Sequence, residues 1–171
     1  ALRRRWTVFG GKIMDEKLIA SLTGRALIDG KVEGRAMVLP DSIAGWSGIT
    51  SEGLIIEKDN IHRGESVAGM ILVVPGGKGS VGWSCHFTAL KANGHSPKGW
   101  VLKNVDTRVG VALVTTNTPA VCVKQPDPFS VIHDGDRLVI DGEKGTVEVW
   151  RKNEPFLQKD NGSRWIKLLQ S

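Results

Sequence analysis

The stretch of this chain best equipped for chemistry is Pro75-Gly76-Gly77-Lys78-Gly79-Ser80. Gly76, Gly77 and Gly79 let the backbone curl so that successive N–H groups point inward, which makes a nest for an anion. The segment leaves the apolar run Met70-Ile71-Leu72-Val73-Val74 and enters residues 82–93, which read as helical, so the nest would sit at the positive end of a helix dipole. Lys78 adds a full charge and Ser80 a hydroxyl. The order G-x-x-x-x-G-K-[ST] is absent, so this is not a Walker phosphate loop. On pattern alone, a tight strand-to-helix turn without chemistry fits as well.

Other reactive groups are scattered. His86 follows Ser84 and Cys85, while His62, His95 and His133 fall in predicted loops without ligand spacing. No metal site is expected from them. Cys85 and Cys122 are the two cysteines; isolated thiols of this kind point to a reducing, cytoplasmic setting. Two thiols are also too few for a self-contained iron–sulfur cluster, which takes three or four.

The elements that must position these groups read mostly as short strands. Residues 15–22 suggest one or two helical turns. Residues 23–30 and 31–38 read as strands separated by the tight-turn pair Asp29-Gly30. Leu54-Ile55-Ile56 is a short apolar strand. Residues 70–74 form an unbroken apolar run ending in Pro75, the mark of a strand buried on both faces. In residues 82–93, Phe87, Leu90 and the Lys91 stem recur at helical spacing, and Asn93-Gly94 ends the helix. Residues 100–102, 109–114 and 119–123 are further apolar runs, and residues 134–142 with 145–149 alternate cleanly as a hairpin. The expectation is a mixed α/β layered domain over 22–150, with an N-terminal extension, 1–21, and a C-terminal one, 151–171.

Size and composition agree with that. The chain has 171 residues, 40% hydrophobic and 24% charged, which suits one globular core. No run approaches the roughly 20 apolar residues of a membrane span. The basic start, Ala1 to Trp6, lacks the apolar stretch of a secretory signal. The net charge of +5 is dispersed apart from Arg3-Arg4-Arg5, and no aromatic–basic motif accompanies it. An anionic substrate or acidic partner therefore fits better than nucleic acid.

Residues 64–80, Gly-Glu-Ser-Val-Ala-Gly-Met-Ile-Leu-Val-Val-Pro-Gly-Gly-Lys-Gly-Ser, resemble the small-subunit, or swivelling-domain, signature of aconitase X. Gly24 to Gly34 is similar to that family's opening strand pair, and Gly94-His95-Ser96-Pro97 to the turn after its helix. Pro119-Ala120-Val121 and the 134–149 hairpin match its end, so the resemblance spans residues 22–150. The family's Gly-Gly-Val-Asp loop reads Ser47-Gly48-Ile49-Thr50 here, and Trp83 stands before Ser84 where the family has Gly.

The resemblance implies a β/β/α swivelling domain of the aconitase type, acting as the small subunit of a hydro-lyase. The partner it implies is a large subunit that carries an iron–sulfur cluster; no cofactor is expected on this chain. Ser80 would be the base, with Gly77, Lys78, Gly79, Ser47 and Thr50 contacting a small anionic or zwitterionic hydroxy acid. Of the family's substrates, the longer chain and altered loop lean towards cis-3-hydroxy-L-proline over 5-phosphomevalonate. Two other readings compete. The chain's end and Ser84-Cys85-His86 also resemble the phosphohistidine domain of phosphoenolpyruvate-utilising enzymes, with His86 as phosphoryl carrier. A non-catalytic binding or regulatory subunit of the same fold is the third. Trp46 and Trp83 would border the site, and Trp6, Trp150 and Trp165 would tether the tails.

Overall fold

The structure is a computed structural model that describes the backbone of residues 4–9, 12–152, 157–159 and 165–167 and the side chains of residues 16–152. The chain divides into two units, residues 1–18 with 151–171, and residues 19–150. In the first unit, β1 (Arg4–Phe9) pairs antiparallel with the start of β2 (Lys12–Thr23), from Arg4↔Lys17 to Phe9↔Lys12. Separately, β10 (Leu157–Lys159) pairs antiparallel with β11 (Trp165–Lys167). The side chains of Trp6 and Trp165 lie outside the described residues.

The second unit is a mixed sheet with two helices on one side and a short third one packed against the core on the other. Its remaining elements are β3 (Arg25–Ile28), β4 (Lys31–Val38), β5 (Ile71–Val74), α1 (Trp83–Ala92), β6 (Gly99–Leu102), α2 (Thr107–Thr116), β7 (Ala120–Cys122), α3 (Pro128–Val131), β8 (Arg137–Asp141) and β9 (Thr146–Lys152). The strand order is β2-β9-β8-β4-β5-β6-β7-β3. Strands β4 to β7 run parallel, β4 joined to β5 by the 39–70 segment and β5, β6 and β7 joined through α1 and α2, whereas β8, β9 and β3 pair antiparallel with their neighbours.

Alternation along β5 builds the two cores. Ile71 and Val73 face Ala36, Val101, Val121, Leu138, Ile140, Val147 and Val149. Leu72 and Val74 face the helices, against Trp83, Phe87, Leu90, Val109 and Leu113. All four β5 residues are buried, as an apolar run with no polar alternation requires. On the helix side Trp83, Phe87 and Trp100 form one aromatic cluster, with ring centroids 5.0–5.8 Å apart.

The far edge of the sheet curls back towards the hairpin. Gly24 N donates to Gly145 O, and Gly142 N to Gly30 O, each at 2.8 Å. A Cβ on Gly142 would lie 2.1 Å from Ile28 O, so only glycine permits that approach.

Several expectations are corrected. Residues 15–22 are strand, within β2, which pairs with β1 through residues 12–17 and lies beside β9; Gly10-Gly11 between β1 and β2 is the hairpin signal that a helical reading of 15–22 leaves out. β3 and β4 flank Asp29-Gly30 but are not paired: β3 joins β7, and β4 lies between β8 and β5. The run 109–114 belongs to helix α2, and residues 54–56 form only isolated bridges, Ile49↔Ile55 and Leu54↔Ser66. The 31–38 and 70–74 strands, the helix from residue 83, its Asn93-Gly94 end and the 134–149 hairpin are present.

Candidate functional site

The parallel strands β5, β6 and β7 bring their carboxyl ends to one edge of the sheet, where open α/β sheets take their ligands. The loop after β5 lies there, and side chains from elsewhere grip its backbone at every residue from Gly76 to Gly79. Buried Ser42 donates its hydroxyl to Gly76 O. Gly77 N donates to Asp106 Oδ2 at 2.6 Å. The Trp83 indole donates to Lys78 O at 2.7 Å, and Arg108 Nη1 to Gly79 O at 2.9 Å. Gly79 is left-handed, φ +83°, and a Cβ there would stand 3.2 Å from Ala44 Cβ.

Asp106 is the pivot of this arrangement. It caps α2, accepting from the amides of Arg108 and Val109, and its Oδ1 also meets Arg108 Nε at 3.3 Å. Burial pushes its carboxyl up, but the amides of Gly77 and Val109 and the Arg108 guanidinium pull harder and leave it below the usual carboxylate value.

The loop differs from the open nest expected. The Asp106 carboxylate holds the Gly77 amide, in the place an external anion would take. Lys78 also has an internal partner, Glu57 Oε2 at 3.3 Å, whose Oε1 accepts from Ala44 N at 2.9 Å. That pair borders a cavity of about 620 Å³, which Asp41, Ser42 and Asn60 also line.

Ser80 is exposed at the N-terminus of α1, and its Oγ accepts from Gly82 N at 3.3 Å. An N–H and the positive end of a ten-residue helix therefore face the hydroxyl oxygen, the arrangement that stabilises charge on it. A Cβ at Gly82 would lie 3.1 Å from Trp46 and 3.3 Å from Ser80 Oγ, so both residues border Gly82. Trp46 is 59% exposed, and Ser47 beside it is exposed too. Thr50 is placed elsewhere: its Oγ1 accepts from the amides of Glu52 and Leu54, both at 3.2 Å, closing a turn whose Gly53 packs on His95. His95 follows the C-terminus of α1, whereas Ser80 precedes its N-terminus.

His86 stands on α1 with its ring against Trp46, centroids 6.0 Å apart, and its Nε2 buried without a hydrogen-bond partner among the described residues. His62 is buried between Glu65 Oε2, at 3.1 Å, and Val38 O, at 3.1 Å. Cys85 is exposed and Cys122 buried, and among the described residues no group of three His, Cys, Asp or Glu side chains is arranged to hold a metal ion. These residues do not fit an iron–sulfur cluster. Among the described residues no helix is long and apolar enough to cross a membrane.

Asp106, Arg108 and Glu57 were not singled out by sequence. Asp106-Thr107 before Val109, Ala112, Leu113 and Thr116, a buried stripe at helical spacing, was the available signal for the first two.

Comparison with known proteins converges on one group. Residues 21–149 match the family described as the aconitase X swivel domain. A phosphomevalonate dehydratase small subunit from Archaeoglobus fulgidus is 38% identical over 125 residues, covering 73% of this chain and 95% of that protein. One from Thermococcus gammatolerans is 34% identical, covering 75% and 96%. The crystal structure of holo-form aconitase X from Thermococcus kodakaraensis superposes with a TM-score of 0.70 at 32% identity, covering 76% of this chain and 98% of that one. With the family model, the fold and the nearly full coverage of these relatives in agreement, the chain belongs to the aconitase X swivel domain family as the small subunit of a dehydratase of that type.

Proposed function

We propose that this subunit supplies the base of a hydro-lyase reaction on a hydroxy acid, that the base is Ser80, and that 5-phosphomevalonate is the substrate. The observation that carries the proposal is the Gly82 amide pointing at Ser80 Oγ from the N-terminus of α1. A serine hydroxyl is far too weak a base at neutral pH unless its alkoxide is stabilised, and an amide at a helix N-terminus favours the charged form. Ser80 Oγ takes the proton from the carbon next to the substrate carboxylate, the C–H pair becomes the new double bond, and the hydroxyl on the neighbouring carbon departs.

The chain's other residues hold that geometry. Asp106, Arg108, Trp83 and Ser42 fix the loop, so Ser80 meets the substrate with little reorganisation. Gly77 serves through its bond to Asp106. Lys78, Gly79 and Ser47 border the substrate, Lys78 balanced by Glu57, and Thr50 shapes the turn behind. Bound in the large subunit, an iron–sulfur cluster would supply a Lewis acid for the departing hydroxyl; the two cysteines of this chain are too few to hold one.

The names of the relatives support phosphomevalonate. The second substrate to test is cis-3-hydroxy-L-proline, because Thr50 stands where the family has an acidic residue. The test is to assemble the chain with an aconitase X large subunit under anaerobic conditions and assay both compounds. Loss of water from phosphomevalonate alone supports the proposal; turnover of hydroxyproline alone overturns the substrate while leaving the base.

A further inference from the structure

A second cavity, of about 610 Å³, opens beside the carboxyl ends of β6 and β7, against Asn104 and Val105 of the loop between β6 and α2. Its volume lies in the range of small-molecule sites. Arg25, Lys124, Asn104 and Gln125 line it, and among the described residues no Asp or Glu does. Among the described residues neither Arg25 nor Lys124 has an ion-pair partner. The nearby Lys103, by contrast, is neutralised by Asp127 at 2.5 Å. Two unanswered cations in one acid-free cavity mark a place for negative charge.

The walls are firmly built. Arg25 pairs with Cys122 in the β3–β7 ladder, and a Cβ on the preceding Gly24 would stand 2.2 Å from Cys122 O, so the two strands touch there. Cys122 Sγ donates to Lys103 O at 3.4 Å, joining the strand to the loop that carries Asn104. We propose that this cavity binds the phosphate group of a small phosphorylated molecule. The Arg25 guanidinium takes two phosphate oxygens at once, Lys124 supplies a point charge, and the Asn104 and Gln125 carboxamides donate to the remaining oxygens. A carboxylate, with two oxygens and one charge, would leave one cation unanswered. The inference is independent of Ser80 and of the substrate assigned to it.

The experiment titrates inorganic phosphate and, separately, glycerol 3-phosphate and acetate into the full isotope-labelled chain at constant ionic strength, following side-chain N–H resonances. The expected result is saturable shifts at Arg25 and at the Asn104 and Gln125 carboxamides with both phosphates and none with acetate. Arg25→Gln with Lys124→Gln, both at exposed positions, should weaken binding at least about tenfold while preserving the spectrum of the fold. Ser80→Ala and Lys78→Ala should bind as the parent does. Shifts that never saturate, affinity unchanged in the double variant, or binding lost in Lys78→Ala would each overturn the proposal.

Discussion

The amide of Gly77 and the carboxylate of Asp106, 29 residues apart in sequence, meet at 2.6 Å and tie the loop after β5 to the start of α2. One carboxylate thus caps a helix and fixes the loop that leads to Ser80. Asp106→Ala removes both, and should cost about 2 kcal/mol or more, the sum of a lost cap and a lost charge-assisted hydrogen bond. Urea denaturation at constant slope measures it. A change under about 0.5 kcal/mol, the size of an ordinary surface substitution, would show that the tie holds nothing.

The same carboxylate sets a pH dependence. Its folded-state value lies below the unfolded one of about 3.9, so its stabilisation is present above that pH and is lost as pH falls through the lower, folded value. The stability gap between the parent chain and Asp106→Asn should be constant near neutrality and shrink below about pH 4. A gap that widens on acidification contradicts the sign.

Trp83 separates packing from loop support. Trp83→Phe keeps an aromatic ring beside Phe87 and Trp100 but loses the indole bond to Lys78 O, at a cost of about 1 kcal/mol plus the partial cavity. Trp83→Ala also empties a fully buried site and should cost about 3–5 kcal/mol. Thermal unfolding of the two variants reads the difference.

Gly79→Ala forces a left-handed alanine against Ala44. Gly64 is also left-handed, φ +88°, with nothing within 4 Å of its would-be Cβ. Both substitutions carry backbone strain of about 1–2 kcal/mol, and only the first adds a steric term. Denaturation midpoints should therefore place Gly79→Ala below Gly64→Ala, and turnover should fall only in the former.

What the sequence disclosed follows the reach of its signals. β5 and the β8–β9 hairpin were legible because burial on both faces and strict alternation are local patterns. α1 was legible from Phe87 and Leu90 and its Asn93-Gly94 stop. α2 was hidden by Val109, Val111 and Val114, which favour strands; tertiary burial of Val109, Ala112, Leu113 and Thr116 decides in favour of helix. The first half of β2 pairs locally with β1 across Gly10-Gly11, a signal the sequence did carry, whereas the separation of β3 from β4 depends on β7 and β8, distant partners that no window of sequence contains. Ser80 could be found because glycines announce their loop, whereas Asp106, Arg108 and Glu57 reach that loop through contacts 21 to 29 residues away.

The measurement that bears most directly on the account is turnover by Ser80→Ala in the enzyme assembled with its large subunit. The account expects turnover to fall by a factor of about 100 to 10,000, the usual worth of a positioned base, with unfolding and assembly unchanged. Turnover within a few-fold of the parent enzyme would contradict it, and the proton would then have to leave through a residue other than Ser80.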